Sequence, residues 1–449
     1  MKSEYLLNSK LAETLYSKVN GFPIVDYHNH LDVNAIKNNE RFTDIYDLWI
    51  KVDPYKHRAL RMLGVDESLI TGDAPKFDKF SIWCEKFPLL VGNPLYIWSQ
   101  IELKEVFGIE LKINKSNAKA IYDLANKFLL DNEVNVNYLL DKFNVEKICP
   151  CFSLLQDISY INKNDRSVPS LRGDDFLLPK VTFIEDLGKL TNTNIDSLTN
   201  YLDALKVRIS EFYKVGCIFS DHALDNGFVY YLDDNQNEDR FNKLLKGELS
   251  SEDGLKLKSY ILTCVLGIYS ELNIVTQLHI GAQRTTSDRL KKLAGPAGGY
   301  ASLGNSVDIV SLTNLFNEVE KREQGLGKII LFTLNPVDNE LLSTLAGSYS
   351  RTNMSSLISQ GPAWWWSDHE YAIKDVLDAI SAYSVLSNFI GMTTDSRSFL
   401  SLIRHDYFRR VLCSYLADKI NSNSLPYDED DIDVLLTKIC YQNASELFK

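Results

Sequence analysis

The stretch Pro23-Ile-Val-Asp-Tyr-His-Asn-His30 decides how the whole chain is read. Its first half is short, apolar and β-branched, the composition of a strand. Its second half closes on two histidines two residues apart. Side chains alternate along a strand with period two, so His28 and His30 point to the same side. Two imidazoles side by side begin a metal site, and they are an awkward arrangement for packing alone.

The same plan recurs downstream: an apolar run, a polar close, then a longer helical pattern. After Pro23 to Tyr27 come Val145 to Phe152, then Ser167 to Leu171 or Phe176 to Thr182, then Val215 to Phe219. Ile274 to Leu278, Lys328 to Leu334, Ser356 to Ala363 and Phe389 to Thr394 complete the series. Continuous apolar runs fit strands covered on both faces, and helices between them fit βα repetition with a parallel sheet. Eight such units predict an α/β fold, a (β/α)8 barrel formed by residues 1–33 and 143–449. Between them, residues 34–142 are too long for a structureless loop. Their helical spacing, clearest from Ala118 to Leu130, predicts a helical insertion folded over the barrel mouth.

Composition narrows the function. With 48 Lys+Arg against 60 Asp+Glu, a net charge of −12 argues against nucleic acid and anionic membrane as partners. An aromatic content of 11% and a charged content of 24% supply a core and exclude a disordered chain. Seven cysteines in 449 residues form no disulfide scaffold. Together with an N-terminal segment lacking an apolar signal core, they point to the cytoplasm. Assembly into a homo-oligomer is left open.

Barrel enzymes carry their reactive groups at the C-terminal ends of the strands. Ser220-Asp221-His222, Gln277-Leu278-His279 and Thr394-Asp395-Ser396-Arg397 close three of the runs. His28, His30, His279 and Asp395 could therefore converge on one divalent cation, with Asp221, His222, Arg284 and Arg397 around it. Arg172, Arg284 and Arg397 each follow a strand, and the guanidinium fork suits a carboxylate, so the expected substrate is a small anion. Trp364-Trp365-Trp366 reads equally as core packing or as a wall against a ring. Cys149-Pro-Cys151 lacks a second ligand pair and reads as structural burial. Gly295 to Gly299 reads as a turn, having no phosphate-loop order. No Gly-x-Ser-x-Gly elbow is present. His405, opening a helix after the last run, reads as a structural hydrogen-bonding residue.

These residues resemble the uronate isomerase (glucuronate isomerase) family of the amidohydrolase superfamily. The matching stretches include Asp26-Tyr-His-Asn-His-Leu-Asp32, Tyr46-Asp-Leu-Trp49, Gly92-Asn-Pro-Leu-Tyr96, Ser220-Asp-His222 and Gln277-Leu-His-Ile-Gly-Ala282. The longest is Gly391-Met-Thr-Thr-Asp-Ser-Arg-Ser-Phe-Leu-Ser401, followed by Arg404-His405. The resemblance implies a distorted barrel with an insertion after strand one, and aldose–ketose isomerisation of hexuronates. That is D-glucuronate to D-fructuronate, or D-galacturonate to D-tagaturonate, by proton transfer between C2 and C1 through an enediol. It implies metal ligation by His28, His30 and Asp395, with His279 as a further ligand, and Zn2+ or alternatively Mn2+ as the ion. It implies Asp395, Tyr55, Asp221 and Arg397 as catalytic groups, and Arg172, Arg284, Arg397, Trp364 and Trp365 as substrate contacts.

The chain also departs from that pattern. Pro54 stands before Tyr55 where the family has a histidine, and proline offers no donor or titratable group. Cys149-Pro-Cys-Phe-Ser153 replaces a Thr-Asp-Asp-Pro type ending, Ile97-Trp-Ser-Gln100 replaces His-Trp-Thr-His, and Gly173 replaces the usual proline after Arg172. Two other readings therefore stand beside the isomerase. One is a metal-dependent hydrolase on the same barrel. The other is a catalytically weakened sugar-acid-binding relative.

Overall fold

The computed structural model describes residues 5–296 and 298–449. Seven strands form one parallel sheet in chain order: Ile24–Asn29, Val145–Ser153, Ser170–Arg172, Phe219–Leu224, Val275–Ile280, Ile329–Thr333 and Ile358–Gln360. Every neighbouring pair runs parallel. The first, fifth and sixth strands are buried along their full length, as continuous apolar runs require. Helices lie between them, among them Leu198–Lys214, Ser251–Leu272, Ile309–Glu320 and Asn339–Ser348. The sheet is thus curled and covered by helices, and its inner face packs Tyr27, Cys149, Phe219 and Phe332 beneath the strand ends.

Three of the expected strands are displaced. Of the two options for the third, Ser170–Arg172 is the strand, and Phe176 to Thr182 belongs to helices Asp174–Leu177 and Val181–Thr191. The fourth starts at Phe219, not Val215, because Val215 caps helix Leu198–Lys214 and Gly216 turns the chain at φ 96°. The eighth run, Phe389 to Thr394, forms no strand. It lies against the first strand through other bonds: the Asp395 N–H donates to the His28 carbonyl (3.1 Å) and the His30 N–H to Ser396 O (2.8 Å). The His28 N–H, which a ladder would use, goes to the Thr393 hydroxyl instead (2.9 Å). One side-chain hydroxyl here takes a place that a backbone carbonyl fills elsewhere.

Residues 34–142 form helices, with Pro54–Met62, Lys76–Lys86, Pro94–Phe107 and Ala118–Asp131 the longest. The last buries Ala118, Ile121, Ala125 and Leu129 on one face, the spacing read from its sequence. Trp49, Trp83 and Leu103 of this region share one apolar core with helices Lys10–Val19 and Arg404–Asn421. Among the described residues, no helix is long and apolar enough to cross a membrane.

Candidate active site

A cavity of about 280 Å³ opens at the C-terminal ends of the strands. His28, His30, His279, Asp221 and Asp395 line it, as do Arg172, Arg284, Arg397, Tyr55, Trp364 and Trp365. Pro54 also borders it. Of the residues expected to surround the metal, only His222 lies elsewhere. The register pairs Asp221 with Gln277 and Ala223 with His279, so Asp221 and His279 share the cavity face while His222 points away. Its Nε2 meets the Tyr269 hydroxyl at 3.1 Å, and burial pushes its pKa down to about 4. The ring sits so close to Gly173 that a Cβ there would stand 1.8 Å from His222 Cε1. This explains the glycine after Arg172, whose N–H also donates to Asp221 O at 2.9 Å.

At the centre, the Asp395 carboxylate gathers two imidazoles, with Oδ1 3.2 Å from His28 Nε2 and 3.1 Å from His30 Nε2. Burial opposes its charge, yet the two histidines hold its pKa well below the carboxylate range. The His28 ring lies 4.6 Å from the His279 ring. His279 is 4% exposed and its Nε2 has no hydrogen-bond partner. Burial, followed by the charge of His28, pushes its pKa well below the usual value, so it stands as a neutral imidazole. An unpartnered buried imidazole nitrogen is costly unless something is bound there. Neighbouring ligands bound at about 2.0–2.1 Å lie about 2.8–3.0 Å apart in an octahedral site and about 3.3–3.4 Å apart in a tetrahedral one. The His–Asp395 spacings lie between these values, and the donor set fits a divalent cation.

Asp26, behind this cluster, organises it. Its carboxylate accepts from Thr394 N (2.6 Å), Thr394 Oγ1 (2.8 Å), Asn29 Nδ2 (2.9 Å) and His405 Nε2 (3.2 Å). His405 is therefore a structural residue, as its position suggested. The ladder between the first two strands shifts register between Asp26 and Asn29, which lets Asp26 face the Arg404–Asn421 helix while His28 and His30 face the cavity.

The rim is built differently. Arg172 pairs with Asp174 (3.0 Å) and Arg284 with Asp225 (2.8 Å). Among the described residues Arg397 makes neither a hydrogen bond nor an ion pair, so one guanidinium fork is uncommitted. The Tyr55 hydroxyl is buried without a partner, and burial raises its pKa well above the usual value. Its ring is held edge-on by Trp98 and Trp366 and lies 4.6 Å from the guanidinium of buried Arg404. Trp364 packs on His279 at 4.5 Å and also lines the cavity. Of the Gly295 to Gly299 stretch, Ala297 lies outside the described residues, while Pro296 and Gly299 reach the cavity edge.

Comparison with known proteins assigns the chain to a family. The sequence model of the family described as glucuronate isomerase matches residues 1–448. The chain belongs to the glucuronate isomerase family. It is 35% identical to a uronate isomerase of Clostridium perfringens, with 100% of this chain and 99% of the relative covered. With a uronate isomerase of Caldicellulosiruptor saccharolyticus the identity is 36%, at the same coverage. A crystal structure of uronate isomerase from Thermotoga maritima superposes with a TM-score of 0.91 at 29% identity, covering 100% of this chain and 99% of that one.

Two features of this family member escaped the sequence reading. Cys149 is core, as expected, but Cys151 is not mere packing: its Sγ stands 3.7 Å from His28 Nδ1 and 3.4 Å from Asp221 Oδ1. Together, His28, His30 and Cys151 offer ligand atoms within 4.8 Å of one another, a group that could hold a metal. Period two places Cys149 and Cys151 on one strand face, and only the distance along the strand separates core from site. The second is the buried pair Arg404–Asp368 at 3.1 Å beneath Tyr55, in which burial raises Asp368 to about 7. Nothing in the spacing of Asp368 and Arg404 announces that contact.

Proposed function

We propose that this protein is an aldose–ketose isomerase of hexuronates. It converts D-glucuronate to D-fructuronate, D-galacturonate to D-tagaturonate, or both, by moving a proton between C2 and C1 through an enediol. The observation that carries this reading is the convergence of eleven separate side chains on one small cavity in a chain of this family. We take the curled sheet as a (β/α)8 barrel with residues 389–394 in its eighth position. Residues 34–142 are then an insertion that covers the mouth through Pro54 and Tyr55, and the cytoplasm is the expected compartment.

His28, His30, His279 and Asp395 would hold a divalent cation, Zn2+ or Mn2+, which when bound supplies a Lewis acid for substrate oxygens and for the charge of the enediolate. Arg397, without a partner among the described residues, takes the substrate carboxylate in its planar fork. Arg172 and Arg284 hold the sugar oxygens with their remaining donors. Tyr55 keeps its proton and donates it in a hydrogen bond to a sugar oxygen. Asp395 and Asp221 are the carboxylates that can take the C2 proton and return it at C1. Trp364 and Trp365 wall the ring and exclude water from the enediol.

The test is incubation of metal-loaded protein with glucuronate or galacturonate in D2O, followed by proton NMR. Loss of the C2 proton signal with appearance of ketose is expected. If neither hexuronate exchanges or converts, the reading is wrong.

A further inference from the structure

Tyr55 borders the cavity with a buried hydroxyl that has no hydrogen-bond partner among the described residues. A phenol without a hydrogen bond is fixed only by what packs on its ring. Trp98 and Trp366 meet that ring edge-on, with centroids 5.8 Å and 5.0 Å away. The third contact is a charge. The Arg404 guanidinium carbon stands 4.6 Å from the centre of the Tyr55 ring and 4.3 Å from that of Trp98. Arg404 is 1% exposed, and a cation over an aromatic face gains most where water is excluded. The guanidinium is itself anchored twice, its Nη1 donating to Asp368 Oδ2 at 3.1 Å and to the Thr394 carbonyl at 3.3 Å. Thr394 precedes Asp395, whose backbone stands at φ 46°, a left-handed conformation that a residue other than glycine keeps only under constraint from its surroundings. One planar cation thus touches both the peptide that carries Asp395 and the ring that carries the Tyr55 hydroxyl.

We propose that Arg404 is a positioning residue: its guanidinium, braced on Asp368 and the Thr394 carbonyl, holds the Tyr55 ring so that its hydroxyl faces the cavity at a set distance from Asp395. Arg404 is not among the residues lining the cavity, so it acts through Tyr55 and not on the substrate. The proposal rests on the reading of Tyr55 as donor to a sugar oxygen. Lysine cannot replace Arg404, because a point charge on a flexible stem cannot stack on two rings while donating along two fixed directions.

The experiment is a double-mutant cycle on the full, metal-loaded chain: wild type, Arg404→Lys, Tyr55→Phe and both together. Tyr55→Phe is expected to lower kcat/KM about 10²-fold, the order of one lost donor. Arg404→Lys is expected to lower it about tenfold with metal content unchanged, and to cost nothing further once the hydroxyl is gone. A role in folding alone would lower the thermal midpoint in both backgrounds and leave kcat/KM of the folded protein unchanged. An equal fall in kcat/KM in both backgrounds, or no fall in the wild-type background, overturns the proposal. A Tyr55→Phe variant as active as wild type overturns the reading of Tyr55 and the proposal with it. Position is also read without turnover. Full-length protein carrying 3-fluorotyrosine in place of Tyr55 is expected to give one narrow fluorine NMR line, which Arg404→Lys broadens or shifts. An unchanged line overturns the proposal. Should Arg404→Lys fail to fold, Asp368→Asn, which removes the charge of the brace and keeps the guanidinium, is read by the same cycle and the same line. A wild type that converts neither hexuronate overturns the isomerase reading alone, and the fluorine line still decides for Arg404.

Discussion

The floor and the rim of the cavity are built on opposite principles. On the floor, Asp26 is fully buried and holds five donors, Thr393 Oγ1 being the fifth, while Asp395 holds two imidazoles. On the rim, the side chains of Arg284 and Asp225 are 37% and 43% exposed, and those of Arg172 and Asp174 are 31% and 29% exposed. Partly exposed pairs of this kind contribute about 0–1 kcal/mol, so an anionic ligand can displace Asp174 or Asp225 from its arginine at little cost. A buried, hydrogen-bonded charge is different, because removing one partner leaves the other stranded. One half of the site is fixed before substrate arrives, and the other half is held loosely enough to rearrange around it.

The strongest challenge to that contrast is Asp26→Ala. It strands His405 and frees the 393–394 segment that lies against the first strand. A loss of about 3–5 kcal/mol is expected, read as a lowered thermal midpoint together with loss of bound metal. A midpoint within about 2 °C of wild type would show that the floor is not fixed by this carboxylate. Asp395→Asn is the next largest effect. It keeps the volume but removes the charge, and kcat should fall about 10²–10⁴-fold. Turnover within tenfold of wild type would move the proton transfer to Asp221.

On the rim, Arg397→Lys keeps a positive charge but replaces a fork by a point. The expected loss is about tenfold in kcat/KM, about 1.4 kcal/mol, carried by KM and with metal content unchanged. Equal loss of metal would erase the division between rim and floor.

The same contrast explains what was legible in the sequence. The floor announced itself because period two and apolar runs are local: His28 and His30 could be placed on one face from the spacing alone, and Asp395 from its place after a run. The parallel sheet with helices between its strands was legible for the same reason, but the 389–394 segment was not, since bonds to and from the Thr393 and Thr394 side chains interrupt its backbone pairing. The start of the fourth strand was misplaced because Val215 looks like a strand residue and is a helix cap. His222 was misassigned by a single position of register. Cys151 was passed over because ligand spacing was sought along the chain, whereas its partners come from the neighbouring strand.

The least costly probe lies behind the rim, at the residue beside Asp221. His222 is buried and neutral, with its pKa pushed down to about 4 by burial. In the unfolded chain a histidine takes up its proton near pH 6.5. Between these values the unfolded state binds more protons than the folded one, so stability is complete above about pH 6.5 and is lost as pH falls toward 4. At pH 5 the loss from this one group is roughly 2 kcal/mol. His57, in helix Pro54–Met62, is lowered to about 4 by burial in the same way and adds a comparable increment. His222→Gln removes one of the two. The variant loses the bond to Tyr269 and melts lower at every pH, so the quantity to compare is the fall in thermal midpoint between pH 7 and pH 5. That fall should be smaller in His222→Gln than in wild type. An equal fall in both would mean that His222 is protonated in the folded protein, and the fourth strand would then not have the two separate faces that put Asp221 in the cavity.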